Sequence, residues 1–136
     1  MTIYFISGHL DYSCDEWTKI YKPMIDNVIN KNNNKFIVGD AIGSDYFSIK
    51  YLNDNIINKD NVTVYHLHEK PRFNTEFKTI GNFMSDKDRD KQMTMDSDYD
   101  ILYIRSIDEQ KKLYGDKYKK RISGTELNYI RRQKLI

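Results

Sequence analysis

With 136 residues, one cysteine and a net charge of +2, the chain is sized for a single domain over residues 1–136, has no internal disulfide, and suits a reducing compartment. No apolar stretch approaches the roughly 20 residues that span a bilayer, and the short run Met1 to Ile6 lacks the basic flank of a signal peptide. These points predict a cytoplasmic protein without a membrane partner. The charge is uneven, since Ser106 to Ile136 holds nine Lys/Arg against four Asp/Glu. That basic third raises nucleic acid as a partner, although a solvated, lysine-rich loop over Lys111 to Arg121 is the plainer reading.

In chain order, Ile3 to Ile6 reads as a short buried strand ended by Ser7-Gly8-His9. Ser13 and Glu16 have capping-box spacing. Behind them Trp17, Ile20, Tyr21, Met24, Ile25, Val28 and Ile29 form one apolar helical stripe. Pro23 lies inside that stripe and predicts a kink or a split. Phe36 to Val38 reads as a second strand, running into the glycine loop Gly39-Asp40-Ala41-Ile42-Gly43 and a helix from Ser44 to about Asn55. Val62 to His66 is a third strand. The stretch Leu67 to Met84 reads as a long functional loop or lid. Ser85 caps a helix reaching about Met95, Asp100 to Ile104 is a fourth strand, and a charged loop leads to a last helix opened by Ser123-Gly124-Thr125. This alternation predicts an α/β three-layer, Rossmann-like sandwich with a mainly parallel sheet of four or five strands.

Three strand-to-helix turns therefore fall at the carboxyl edge, where open parallel sheets bind ligands. Gly39 and Gly43 permit close backbone approach. Asp40 and Asp45 suit sugar hydroxyls. Ser123-Gly124-Thr125 suits a phosphate, because hydroxyls and free N–H groups meet at a helix start. Ordinary turn-forming and helix-capping roles explain each piece equally well when taken alone. The phosphate-loop and dinucleotide fingerprints are missing, which argues against ATPase and dehydrogenase functions. Asp86, Asp88 and Asp90 alternate like a calcium loop but lack its glycine and final Glu, and read as helix surface. His66 and His68 lack further ligands, so no metal and no cofactor is expected.

Together these residues resemble the SLOG superfamily, the Rossmann-like proteins named for SMF/DprA and the Lonely Guy phosphoribohydrolases. The likeness runs over nearly the whole chain. It rests on Ser7-Gly8-His9, on Gly39 to Asp45 with Ile42 where the G-D-A-R-G-A-D form has Arg, on Arg89 and Met93 leading to Asp98 or Asp100, and on Ser123-Gly124-Thr125. The resemblance implies a nucleotide-derived ligand. Ser7, Gly8 and His9 would line one side; Gly39, Asp40, Ala41, Gly43, Ser44 and Asp45 would hold the ribose. Ser123, Gly124 and Thr125 would hold the phosphate, with Arg89 as a charged clamp. Enzymes of this group, and the related nucleoside deoxyribosyltransferases, cleave N-glycosidic bonds with a Glu three residues after the Thr. Here that position is Asn128, so hydrolase or transferase activity would fall to another carboxylate: Asp45, Asp98 or Glu126. Binding with processing in question is the first reading. N-glycosidase or deoxyribosyltransferase activity is the second, and nucleic-acid binding through the basic third is the least favoured. Arg131 and Arg132 are candidates for a homodimer contact, common in such proteins.

Overall fold

Alternating side chains decide which way each strand faces. Phe36 and Val38 join one apolar cluster while Ile37, between them, joins another. Ile6 and Phe5 divide in the same way, as do Val64 and Tyr65. Both faces are thus covered, as parallel sheets require. A computed structural model, describing residues 1–135, orders these strands into one five-stranded, all-parallel sheet.

The elements are β1 (Ile3–Ile6), α1 (Cys14–Asp26), β2 (Lys35–Gly39), α2 (Ser44–Asn55), β3 (Val62–Leu67), β4 (Lys78–Phe83), α3 (Asp86–Met95), β5 (Tyr99–Ile101), α4 (Ile107–Tyr114) and α5 (Gly124–Leu135). The strand order is β4-β3-β2-β1-β5. From β1 to β4 the chain steps in one direction, then returns past β1 to place β5 on its other side. Right-handed crossovers put α1 and α2 on one face and α3, stepping the opposite way, on the other. The reversal makes the gap between β1 and β5 the topological switch point.

Tyr21 fastens that gap. Its hydroxyl donates to Ser7 O at 2.6 Å and accepts from the Tyr103 N–H at 3.0 Å, joining the chain beyond β1 to the chain beyond β5. Burial pushes this phenol up to about 12.

Several elements differ from expectation. Pro23 does not split α1, which is one helix to Asp26. Val28 and Ile29 lie beyond its end yet still pack on the core. Lys78 to Phe83, expected within a lid, is the edge strand β4. Residues 68–77 join β3 to β4 without a helix. The expected charged loop contains α4, capped reciprocally by Ser106 and Glu109. The last strand stops at Ile101 rather than 104, and beyond it the Tyr103 N–H donates to the Tyr21 hydroxyl instead of a neighbouring strand. Among the described residues, no helix is long and apolar enough to cross a membrane.

Candidate functional site

A cavity of about 260 Å³ opens at the carboxyl edge, over β1 and its neighbours. The end of β1 supplies Ser7, Gly8 and His9. The last residue of β2 supplies Gly39, the turn after it Ala41, and the first turn of α2 Asp45. Arg89 comes from α3, and Ser123, Gly124 and Thr125 from the start of α5, with Asn128 one turn further in. Segments far apart in sequence thus converge on one place.

The remaining sequence candidates lie elsewhere. Asp40 is fully buried outside the cavity lining, accepting from Arg89 Nη1 at 3.0 Å and from the Arg72 N–H at 2.8 Å. Gly43 and Ser44 are not among the residues that line the cavity. Gly43 has φ +74, and a Cβ there would overlap the Leu10 carbonyl, so its glycine serves the packing of two loops rather than a ligand. Gly8 likewise makes room for Ser44, and Gly39 for Asp45 and Arg89, whose atoms would lie 2.7 and 2.9 Å from an added Cβ. Asp98 is at the opposite, amino edge, where its carboxylate accepts the Ile3 N–H at 2.8 Å. Glu126 faces a neighbouring groove with Tyr118 and Tyr129. Arg132 is turned inward, bonded to the Thr94 and Ser97 carbonyls and to Asp100 at 3.0 Å, which places it inside the fold rather than at a dimer surface.

Arg89 is not a free clamp. Only 4 % exposed, it pairs with Asp40 at 3.0 Å, Asp90 at 3.1 Å and Asp86 at 3.3 Å. Burial alone would lower its affinity for a proton, but Asp90, Asp45 and Asp86 outweigh that and raise it. The carboxylates around it are not equivalent. Asp45, whose Oδ2 accepts the Ala41 N–H at 3.1 Å, is pushed up to about 7 by burial, against the opposing pull of Arg89. Asp90 is also raised by burial, opposed chiefly by Arg89 and by its hydrogen bond from Asn128 Nδ2 at 3.2 Å. Of the four carboxylates around this guanidinium, Asp45, Asp86 and Asp90 line the cavity and give that wall its hydrogen-bond acceptors.

Near the start of α5 the chemistry reverses. Ser123 Oγ accepts the Glu126 N–H at 3.1 Å, while the N–H groups of Gly124 and Thr125 have no intrahelical carbonyl within reach. A Cβ on Gly124 would meet nothing within 4 Å. Arg121, three residues ahead of the helix, lines the same cavity. His9 Nε2 accepts the Arg105 N–H at 3.3 Å, which assigns the proton to Nδ1. Burial first, and Arg105 second, hold its basicity down. Arg105 is itself sunk between Asp11 at 2.6 Å and Glu16 at 3.2 Å, over the Tyr12 ring, and fixes the β1–α1 loop to the chain after β5. Among the described residues, three buried side-chain polar atoms have no hydrogen-bond partner, the Oγ of Ser7, the Oγ of Ser44 and the Nε of Arg132, and of these residues Ser7 alone lines the cavity.

Sequence reasoning missed Asp90, Arg72 and Arg121, all of which line the cavity. Arg89, Asp90 and Met93 share one helical face at spacings of three and four; since Met93 is fully buried, that face had to point inward, with Asp86 one turn earlier at its exposed end. Among the described residues no group of three or more His, Cys, Asp or Glu side chains is arranged to hold a metal ion. Compared with protein-family models, curated proteins and solved structures, the chain matches none.

Proposed function

We propose that the protein binds a nucleotide-derived small molecule, a ribose carrying a phosphate, at the carboxyl edge of its sheet, as the resemblance to SLOG proteins implies. The observation that carries this reading is the unobstructed start of α5 facing the same cavity as the buried carboxylates. A phosphate suits exposed N–H groups at a helix N-terminus, where the helix dipole favours negative charge. Ribose hydroxyls suit Asp45 and Asp90, which accept hydrogen bonds. Ser7 Oγ supplies one more partner, and the buried position of Thr125 and Asn128 keeps the α5 end rigid.

Calorimetric titration with adenosine 5′-monophosphate and ribose 5-phosphate tests the reading. Binding is expected, with Gly124→Val folded by circular dichroism but at least tenfold weaker, because its side chain fills space that a phosphate needs. Full affinity in that variant would place the ligand elsewhere. Chromatography of the same mixtures should find no free base, since Asn128 carries no negative charge to stabilise an oxocarbenium-like centre. Base release that disappears in Asp90→Asn would make the protein an N-glycosidase with Asp90 as its carboxylate.

A further inference from the structure

The cavity has cations on two flanks. Arg121 stands beside the start of α5, which packs on β5. It has no ion-pair partner among the described residues. Arg72 comes from the opposite side, in the connection after β3. Its backbone N–H is held by the buried carboxylate of Asp40 just past β2, which brings an otherwise irregular segment to the cavity rim. In the sheet, β1 alone separates β2 from β5, so the backbones of those two strands run about 10 Å apart. Asp45, Asp90 and the unpartnered hydroxyl of Ser7 line the same cavity.

Anion, hydroxyl, anion is the pattern that complements such a lining. Resting on the reading of a ribose-phosphate ligand, we infer that the ligand is a pentose phosphorylated at both ends, in the class of a nucleoside 3′,5′-bisphosphate, with Arg72 taking the second phosphate. One phosphate lies on the α5 N-terminus beside Arg121. The 2′-hydroxyl, the one sugar hydroxyl that such a ligand leaves free, meets the acceptors that line the cavity. The second phosphate reaches Arg72, whose side chain is 41 % exposed and whose guanidinium is paired, among the described residues, only with Asp86, at 3.3 Å and itself 62 % exposed. An exposed pair of this kind contributes little, so a phosphate that offers two oxygens to the guanidinium fork displaces Asp86 readily. Asp40 is then a positioning residue: it touches no ligand and holds Arg72 in place through the backbone.

The test is the ratio of two affinities measured by calorimetry, for adenosine 3′,5′-bisphosphate and adenosine 5′-monophosphate. The wild-type protein should prefer the bisphosphate by about tenfold or more, and Arg72→Gln should bring the ratio close to one. Asp86→Asn removes the competing carboxylate and should raise the preference by roughly two- to threefold, a change that a merely structural Asp86 would not produce. A wild-type ratio near one, or a ratio unchanged by Arg72→Gln, overturns the inference while leaving monophosphate binding, and with it the proposed function, intact. Absence of heat with either nucleotide overturns both.

Discussion

The two faces of the sheet are built from different material. Against α1 and α2, the strands bury Trp17, Tyr21, Ile25, Ile49 and Leu52 with Phe36, Val38, Val62 and Val64, a large and mostly aromatic and aliphatic cluster. Against α3 and α5, the buried apolar cluster is Phe5, Ile37, Tyr65 and Met93. The α3 and α5 helices contribute Arg89, Thr94, Thr125, Asn128 and Arg132 among the buried residues. Burying such groups costs free energy unless each is paired, and the ladder of contacts from Asp40 through Arg89 and Asp90 to Asn128 is the pairing. Stability comes mainly from one face, and the other is free to hold charged groups close to a cavity. Departures from the rule of apolar interiors gather where function is expected.

The comparison breaks most visibly if the apolar face is damaged. Leu52 is fully buried in the larger cluster. Leu52→Ala should lower unfolding free energy by about 2–5 kcal/mol, through lost transfer energy and the cavity left behind. Urea denaturation checks this. A loss below about 1 kcal/mol would mean that the α1/α2 face is not the main source of stability.

The same division explains what was legible in the sequence. The α1/α2 side could be read because apolar spacing reports burial directly: the stripe from Trp17 to Ile25 is buried or packed as the pattern requires, and α2 spans Ser44–Asn55 as expected. The edge strand β4 could not. Lys78, Thr79 and Ile80 are exposed, so no alternation marks them, and Gly81 is there because the His66 ring occupies the place of its side chain. In α4 the signal was present in the Ser106–Glu109 capping box but had no apolar stripe behind it, and the helix buries no residue. At the cavity the turns were legible as glycines and hydroxyls. Their roles were not: the glycines at 8, 39 and 43 make room for protein atoms, and only Gly124 leaves open space. Whether a glycine accommodates a ligand or a neighbouring loop depends on tertiary contacts, which local sequence does not encode.

A smaller effect, of opposite sign, sharpens the contrast on the polar face. The Asp45 carboxyl sits at about 7 in the folded protein, against about 3.9 in an unfolded chain. Between those values the folded protein keeps a proton that the unfolded chain has released, so this group's contribution to stability falls as pH rises from about 4 to about 7. At about 1.4 kcal/mol per unit the ceiling is about 4 kcal/mol. Asp45→Asn keeps an acceptor for the Ala41 N–H and abolishes the buried charge, but adds an NH₂ that needs a partner. The variant should be more stable than the wild-type protein by about 1–2 kcal/mol at pH 8, with the difference shrinking or reversing at pH 5. Urea curves at the two pH values decide. A variant less stable at pH 8 would mean that Arg89 holds Asp45 firmly ionised.

The smallest expected change separates the cavity from the core most cleanly. Ser7 is 6 % exposed, lines the cavity, and its Oγ has no hydrogen-bond partner. A hydroxyl buried without a partner costs about 1–3 kcal/mol by comparison with protein mutants, some of which is recovered when the oxygen is deleted. Ser7→Ala should therefore leave the free protein unchanged or up to about 1 kcal/mol more stable. If the hydroxyl is kept for a ligand, the same substitution should weaken nucleotide binding by roughly three- to tenfold, the net worth of one hydrogen bond. Thermal denaturation should therefore show the free protein no less stable while calorimetry shows the complex weakened. Destabilisation of the free protein by more than about 1 kcal/mol would assign the hydroxyl to the fold, as in an ordinary core position. Unchanged affinity would remove Ser7 from the site and leave the β1 end as a wall that shapes the cavity without contacting what enters it.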